Sequence, residues 1–302
     1  MKFRRCVCAI AIIACCGVTT AQRLRQSAPA KGERTITVVT EPNAIVWIDE
    51  IRRGTTDTNG KLSSLKLSSG AHSLRVRASG YRETTQTISP AQRGEIHVRL
   101  VRTTDQAELL FQQAEAARET AKDESSRQGA VDLYRRALKL RPAFPMAHVG
   151  LARVLLDLND PNGALSEIDA ARATRPIFPE ASAVEGRVYR ETGQSDEAIG
   201  AFNRAIREGH GFQPEAHVGI GLVYEEKGQY ELAAREFDIA IKQLADTEPI
   251  IYQLLGAAYE KSGNNREAIT AYENYLRLAP NGSLATSVKS ILDQLKSQQP
   301  NE

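Results

Sequence analysis

From residue 34 to 101 the chain alternates. The stretches "TITVVT", "AIVWID", "SLRVRA", "TTQTI" and "EIHVRL" place β-branched or apolar residues at every second position, with polar residues between them. That period of two predicts half-buried strands. Glu41-Pro42-Asn43, Thr58-Asn59-Gly60, Ser69-Gly70 and Ser79-Gly80 separate the strands with turn chemistry. The even spacing predicts a small antiparallel all-β sandwich. At about 68 residues it is near the lower size limit for a core without covalent staples.

After Val101 the period becomes helical and one phrase recurs. "ETGQSDEAIGAFNRAI" at 191–206 returns as "EKGQYELAAREFDIAI" at 226–241 and "KSGNNREAITAYENYL" at 261–276. Ala198 is preceded by Ala164 and Ala130 and followed by Ala233 and Ala268. Four residues on stand Tyr134, Ile168, Phe202, Phe237 and Tyr272, and three beyond those Ala137, Ala171, Ala205, Ala240 and Tyr275. Upstream lie Ala114, Ala152, Gly186, Gly221 and Gly256, with Tyr189, Tyr224 and Tyr259 three beyond the glycines. Spacings of three and four put each set on one helix face. A small residue on each helix lets two backbones approach, and the aromatic fills the space beside them. Pro145, Pro179, Pro214 and Pro249 fit the first helical turn, where a missing N–H costs nothing.

Five such helix pairs are expected over 107–282, at 107–144, 145–178, 179–213, 214–248 and 249–282. A capping helix follows at 283–297 and a tail at 298–302. These features resemble the tetratricopeptide repeat, whose helix pairs stack into a right-handed superhelical solenoid. The resemblance departs early in the first helix of each pair. His148, Ser182 and His217 stand where the family has a large aromatic, and Tyr252 alone approximates it. Upstream, "TEPNAIVWIDEIRRGTT", "LKLSSGAHSLRVRASGY" and a closing "VRL" resemble the PEGA domain over 34–101, with Glu50 departing from that family's Gly. That resemblance implies a non-catalytic β-sandwich of bacterial surface and envelope proteins. The chain is therefore expected to be multidomain, a PEGA-like sandwich followed by an all-α repeat solenoid.

The first residues change the picture of charge and address. "MKFRRCVCAIAIIACCGVTTA" has a basic start, an apolar run too short to span a bilayer, and small residues suited to cleavage after Ala21. This predicts a signal peptide at 1–21, export to the periplasm or cell envelope, and a flexible tether at 22–33. The alternative is a lipoprotein anchored through Cys15. All four cysteines lie in the leader, so the mature chain is expected to have no disulfide and no Cys-bound metal. Cleavage removes three cations and no anions, taking the formal net charge from +2 to −1. A nucleic-acid partner is not expected on that balance, nor is a transmembrane span in the mature chain.

No catalytic constellation is present. Ser63-Ser64-Leu65-Lys66 matches Ser-x-x-Lys without its companion motifs. His72, His97, His148 and His217 lack a second ligand at metal spacing. No enzyme activity, cofactor or metal is therefore expected. Trp47, the lone tryptophan, falls out of phase with Ala44, Val46 and Ile48. It is either a surface aromatic for a partner or a cross-strand or interdomain contact.

The tetratricopeptide resemblance implies which positions face the groove. On the first helix of successive pairs they read Met146, Val149, Arg153, Leu156 and Asp157, then Glu180, Ala183, Arg187, Arg190 and Glu191. Glu215, Val218, Leu222, Glu225 and Glu226 follow, and then Ile250, Gln253, Ala257, Glu260 and Lys261. Arg153, Arg187 and Arg190 make a basic stretch beside the acidic Glu225, Glu226 and Glu260. This charge pattern suits an extended peptide or protein partner. It equally suits ion pairing between adjacent repeats. The leading expectation is a non-enzymatic scaffold of the bacterial cell envelope whose concave groove binds that partner. The alternative is a structural surface component whose sandwich binds cell wall or glycan while the repeats act as spacer.

Overall fold

The computed structural model describes residues 34–49, 51–67, 70–244 and 247–298. The expected leader with Cys15, the tether, Glu50, Ser69 and residues 299–302 lie outside the described residues. The described residues open with nine short strands: β1 (Arg34–Val39), β2 (Ile45–Ile48), β3 (Ile51–Thr55), β4 (Lys61–Leu67), β5 (His72–Arg77), β6 (Tyr81–Arg82), β7 (Thr84–Ile88), β8 (Gly94–His97) and β9 (Val101–Arg102). One sheet has the order β4-β1-β8 and the other β3-β2-β5-β7. Ile36, Val38, Leu65, Leu67 and Ile96 of the first meet Val46, Ile48, Leu74, Val76 and Ile88 of the second in one buried core. Removing both inward faces from water is what holds these sheets together.

Two features differ from the alternation reading. β8 runs parallel to β1, so the sandwich is not wholly antiparallel. β7 and β8 lie in different sheets, and a connection that changes sheets carries no hairpin constraint on direction. β3 is the other. Its sequence "IRRGT" buries only Ile51 and lies at a sheet edge, where no second face demands apolar residues.

Eleven helices follow among the described residues. They pair as α1 (Gln106–Thr120) with α2 (Glu124–Leu140), α3 (Pro145–Asp157) with α4 (Pro161–Thr174), and α5 (Pro179–Glu191) with α6 (Ser195–Glu208). Next come α7 (Pro214–Glu226) with α8 (Tyr230–Leu244) and α9 (Pro249–Lys261) with α10 (Asn265–Leu278), and α11 (Ala285–Gln298) closes the stack. The recurrent prolines occupy the first helical turn of α3, α5, α7 and α9. The turn within each pair is also a backbone device. Gly228 sits at φ +71°, and the Gln229 N–H reaches back to the Tyr224 carbonyl at 2.8 Å. That left-handed closure satisfies the end of α7 and turns the chain into α8. Asn159, at φ +61°, does the same in the second pair, where the sequence has no glycine.

The recurrent aromatics explain the recurrent glycines. Phe202, 2% exposed, is gripped from two sides. A Cβ on Gly186 of its own pair would fall 2.6 Å from the ring, and one on Gly219 of the next pair 2.2 Å. Tyr272 stands against Gly256 and Phe237 against Gly221 in the same way. At the end of the stack, Val288, Leu292 and Leu295 of α11 cover Tyr272 and Tyr275. Such arrays need a cap of this kind.

The sandwich is fastened to the first pair through α1. Gln112, 8% exposed, accepts from the Gly80 N–H at 3.0 Å and donates to the Tyr81 carbonyl at 2.7 Å. β9 pairs with β6, and the Thr103 N–H donates to the Gly80 carbonyl at 2.9 Å. Arg77 lies 5.2 Å over the Phe111 ring and 3.8 Å from Glu115, and Arg52 reaches Glu119 at 3.3 Å. Burial would push the Glu115 carboxyl up, but Arg118, the Tyr134 hydroxyl and Arg77 hold it below the usual carboxylate range. Gln112→Ala leaves the Gly80 N–H and Tyr81 carbonyl without their partner, a loss of about 1–3 kcal/mol from the junction. Spin labels at His97→Cys and Leu140→Cys, in a chain lacking residues 1–21 and hence natural cysteines, should show a broadened distance distribution. An unchanged distribution would mean that Gln112 does not fix the junction.

Candidate partner-binding groove

The groove is built by the first helices of successive pairs. α3, α5, α7 and α9 each begin on proline and repeat at nearly constant spacing, so the same helix positions line up from pair to pair. The expected basic and acidic stretches do not stand apart. Arg153 donates to Glu215 at 2.9 Å, across two pairs. Arg187 donates to Asp157 at 2.6 Å and to Glu191 at 2.9 Å, and Arg190 to Glu226 at 2.9 Å. Lys261 donates to Glu225. Glu260 accepts from the Tyr272 hydroxyl at 2.8 Å. All six expected charged groove residues therefore have partners within the solenoid.

The ladder has consequences for charge. Burial works against the Arg187 guanidinium, but Asp157 and Glu191 outweigh it and hold its pKa above the ordinary value. Lys261 is raised chiefly by its hydrogen bond to Glu225, and Tyr272 by burial together with Glu260. Partly exposed pairs of this kind contribute about 0–1 kcal/mol each.

Between these charges the groove has an apolar floor. Val218, Gly219 and Leu222 of α7, with the Phe202 ring behind them, line a pocket of about 170 Å³ rimmed by Arg187, Arg190 and Glu215. Gly219 is the residue the repeat pattern missed. Its signal is the doubled glycine of "VGIG", two residues before the recurrent Gly221. The pocket can hold one apolar side chain, with guanidinium groups at its rim to meet a peptide carboxylate or carbonyl. Trp47 lies elsewhere, half-buried on β2 opposite Arg75, with the Arg75 guanidinium 4.2 Å and the Arg77 guanidinium 5.2 Å from its ring.

The positions that depart from the repeat pattern are also occupied by polar contacts. His148 Nδ1 lies 2.6 Å from Glu167, and His217 Nδ1 lies 2.7 Å from Glu236. Both pairs link the two helices of one repeat with the same spacing. Burial lowers the His148 pKa, but Glu167 and the Pro142 carbonyl outweigh it, so the net shift is upward. The sign follows from linkage: this contribution is complete below the unfolded value of 6.5 and is lost as pH rises through the higher folded value. His148→Gln should flatten the stability difference between pH 6 and pH 9 measured by urea unfolding. A variant with the wild-type pH dependence would contradict the assignment. Among the described residues no group of three or more His, Cys, Asp or Glu can hold a metal ion, and no helix is long and apolar enough to cross a membrane.

Comparison with known proteins agrees with this architecture. Tetratricopeptide repeat models match residues 121–187, 183–249 and 250–281, and the PEGA domain model matches 33–104. No curated protein matches the chain. Among solved structures, a thermophilic tetratricopeptide repeat protein of Thermus thermophilus is 24% identical, covering 63% of this chain and 99% of its own, with a TM-score of 0.53. The type IV pilus biogenesis factor PilW is 15% identical over 65% of this chain and 93% of its own, with a TM-score of 0.53. A chain of the APC/C hetero-tetramer Cut9–Hcn1 is 16% identical over 64% of this chain and 36% of its own, at 0.54. At these identities the likenesses speak for the fold. The matched repeats make an interaction scaffold and indicate no enzyme family. The chain carries a PEGA domain followed by a tetratricopeptide repeat solenoid.

Proposed function

We propose that this chain is a non-enzymatic scaffold of the bacterial cell envelope whose concave groove grips a peptide segment of a protein partner. The observation that carries the reading is the pocket on α7, an apolar floor beneath two arginines in the middle of the groove. An inserted apolar side chain would bury Leu222 and Val218, and the peptide backbone would lie along the charged rim. The neighbouring ion pairs set a condition on the ligand. An incoming carboxylate competes with Glu226 for Arg190 and with Asp157 for Arg187, so apolar burial supplies more affinity than charge does. The PEGA domain and the signal-like leader support the envelope address.

Leu222→Glu is the test, because the half-buried Leu222 has no ion pair to break. It should keep the fold and weaken partner capture roughly tenfold or more, the cost of placing a charge in an apolar anchor site. Charge reversal at Arg153 and Arg187 is a poorer probe, since it also breaks the links to Glu215 and Asp157. Wild-type recovery of partners by Leu222→Glu from the envelope fraction would overturn the groove assignment. Absence of the protein from that fraction would overturn the address.

A further inference from the structure

The sandwich is held on α1 at one side and faces the fourth and fifth pairs at the other. Between them lies a cleft of about 870 Å³, far larger than the groove pocket. One wall is Ile51 and Leu65 of the sandwich, and the other is Ile241 of α8 and Tyr252 of α9. This volume is in the range of small-molecule and peptide sites.

Its charges are unequally satisfied. Asp49 is engaged by His72 at 2.6 Å and by the Ser73 N–H at 2.9 Å. Asp238 is engaged by Lys242. Arg53 and Lys66 also line the cleft, and among the described residues neither makes an ion pair or a side-chain hydrogen bond. The Arg53 Nε is buried without a hydrogen-bond partner. Among the described residues the Nε atoms of Arg34, Arg118 and Arg172 are also buried without a hydrogen-bond partner. Each of those is anchored through its terminal nitrogens to a carbonyl or carboxylate. Arg53 has no such anchor. Burial pulls its pKa below the ordinary arginine value, and Asp49 only partly offsets this. A half-buried guanidinium with idle donors is costly unless an acceptor arrives.

We propose that this cleft is a second binding site, distinct from the concave groove, that takes an acidic peptide segment of a protein partner. A Glu or Asp carboxylate would receive the fork of Arg53 and the ammonium of Lys66, and an adjacent apolar side chain would lie between Leu65 and Ile241. The cationic surplus selects an anionic ligand, and the apolar walls select a peptide over a simple anion. Because sandwich and solenoid each supply one wall, an occupant also fixes their relative placement.

The experiment uses the whole chain from residue 22, with a fluorescein-labelled octapeptide of alternating Glu and Leu as probe and its Lys/Leu counterpart as control. Wild type should bind the acidic probe with an affinity that falls as salt is raised, and should bind the control at least tenfold more weakly. Arg53→Gln and Lys66→Gln, checked for an unchanged thermal midpoint, should each lose about tenfold in affinity. Leu140→Glu, at an exposed position outside the cleft, should bind the probe as wild type does. Hydrogen exchange should slow on β3, β4 and α8 when the probe is bound. Free glutamate at the same concentration should not displace it. Equal binding by wild type and Arg53→Gln, equal binding of the two probes, displacement by free glutamate, or protection confined to α3–α7 would each overturn the proposal.

Discussion

Glu185→Leu should destabilise the solenoid by about 2–3 kcal/mol, although it places leucine where three of the other repeats carry Leu151, Ile220 and Leu255. Glu185 sits at the seam of the second and third pairs. Arg172 of α4 donates to it at 3.1 Å, and Arg204 of α6 also donates to it. Arg172 donates to Ser182 Oγ at 2.5 Å, and that hydroxyl donates in turn to Glu208 at 2.6 Å. Ser182 is fully buried, and the Glu185 side chain is 16% exposed. Leucine would fill the volume but leave two guanidinium groups without their shared acceptor. The loss falls below the roughly 3–5 kcal/mol of a fully buried pair, because Arg204 is about a third exposed and Glu208 remains near Arg172. Glu185→Leu combined with Arg204→Leu should recover part of the loss, a coupling that a double-mutant cycle in urea measures. Additive losses would mean that the charges do not act as one unit.

Gly219→Val should cost about 3 kcal/mol or more, at the upper end for overpacking. The new Cβ falls 2.2 Å from the end of the Phe202 ring, whose Cδ1–Cε1 edge is already packed against Gly186. The ring cannot retreat, so α6 and α7 must separate. Because a repeat stack transmits strain mainly to its neighbours, amide exchange should rise in α5–α8 while the sandwich keeps its protection. Phe202→Leu in the same chain should restore part of the stability. A urea midpoint equal to wild type for Gly219→Val would show that the seam is loose rather than close-packed. The same substitution occupies the floor of the α7 pocket, so it should also weaken partner capture.

Local devices were readable from the sequence. The first-turn prolines and the alanine–aromatic spacing act within one helix pair, where spacing alone decides geometry. β3 was not readable, because an edge strand with one buried residue carries no alternation. The parallel β1–β8 pairing was hidden too, since direction across two sheets depends on the path of the connection. In the groove, the tetratricopeptide resemblance implied one kind of face for Arg153, Arg187, Arg190, Glu225, Glu226 and Glu260. Which cation meets which anion depends on the rotation between successive repeats, and that rotation brings Arg153 to Glu215 across an intervening pair. Glu185 had a legible signal, a charged residue where three aligned repeats carry Leu or Ile. Its partners come from two different second helices, which no single-repeat pattern shows. The cleft beside Arg53 depends on the junction that Gln112 fixes, which is a tertiary fact with no local trace.

The concave groove is the proposed seat of the partner. The most direct measurement installs a photo-crosslinking side chain in place of Leu222 in the α7 pocket and, as a control, in place of the exposed Leu140 at the end of α2, and irradiates living cells. A partner seated in the groove should give a discrete adduct with one protein from position 222, absent from position 140 and lost when Gly219→Val fills the pocket. No adduct from position 222, or the same adducts from both positions, would contradict it.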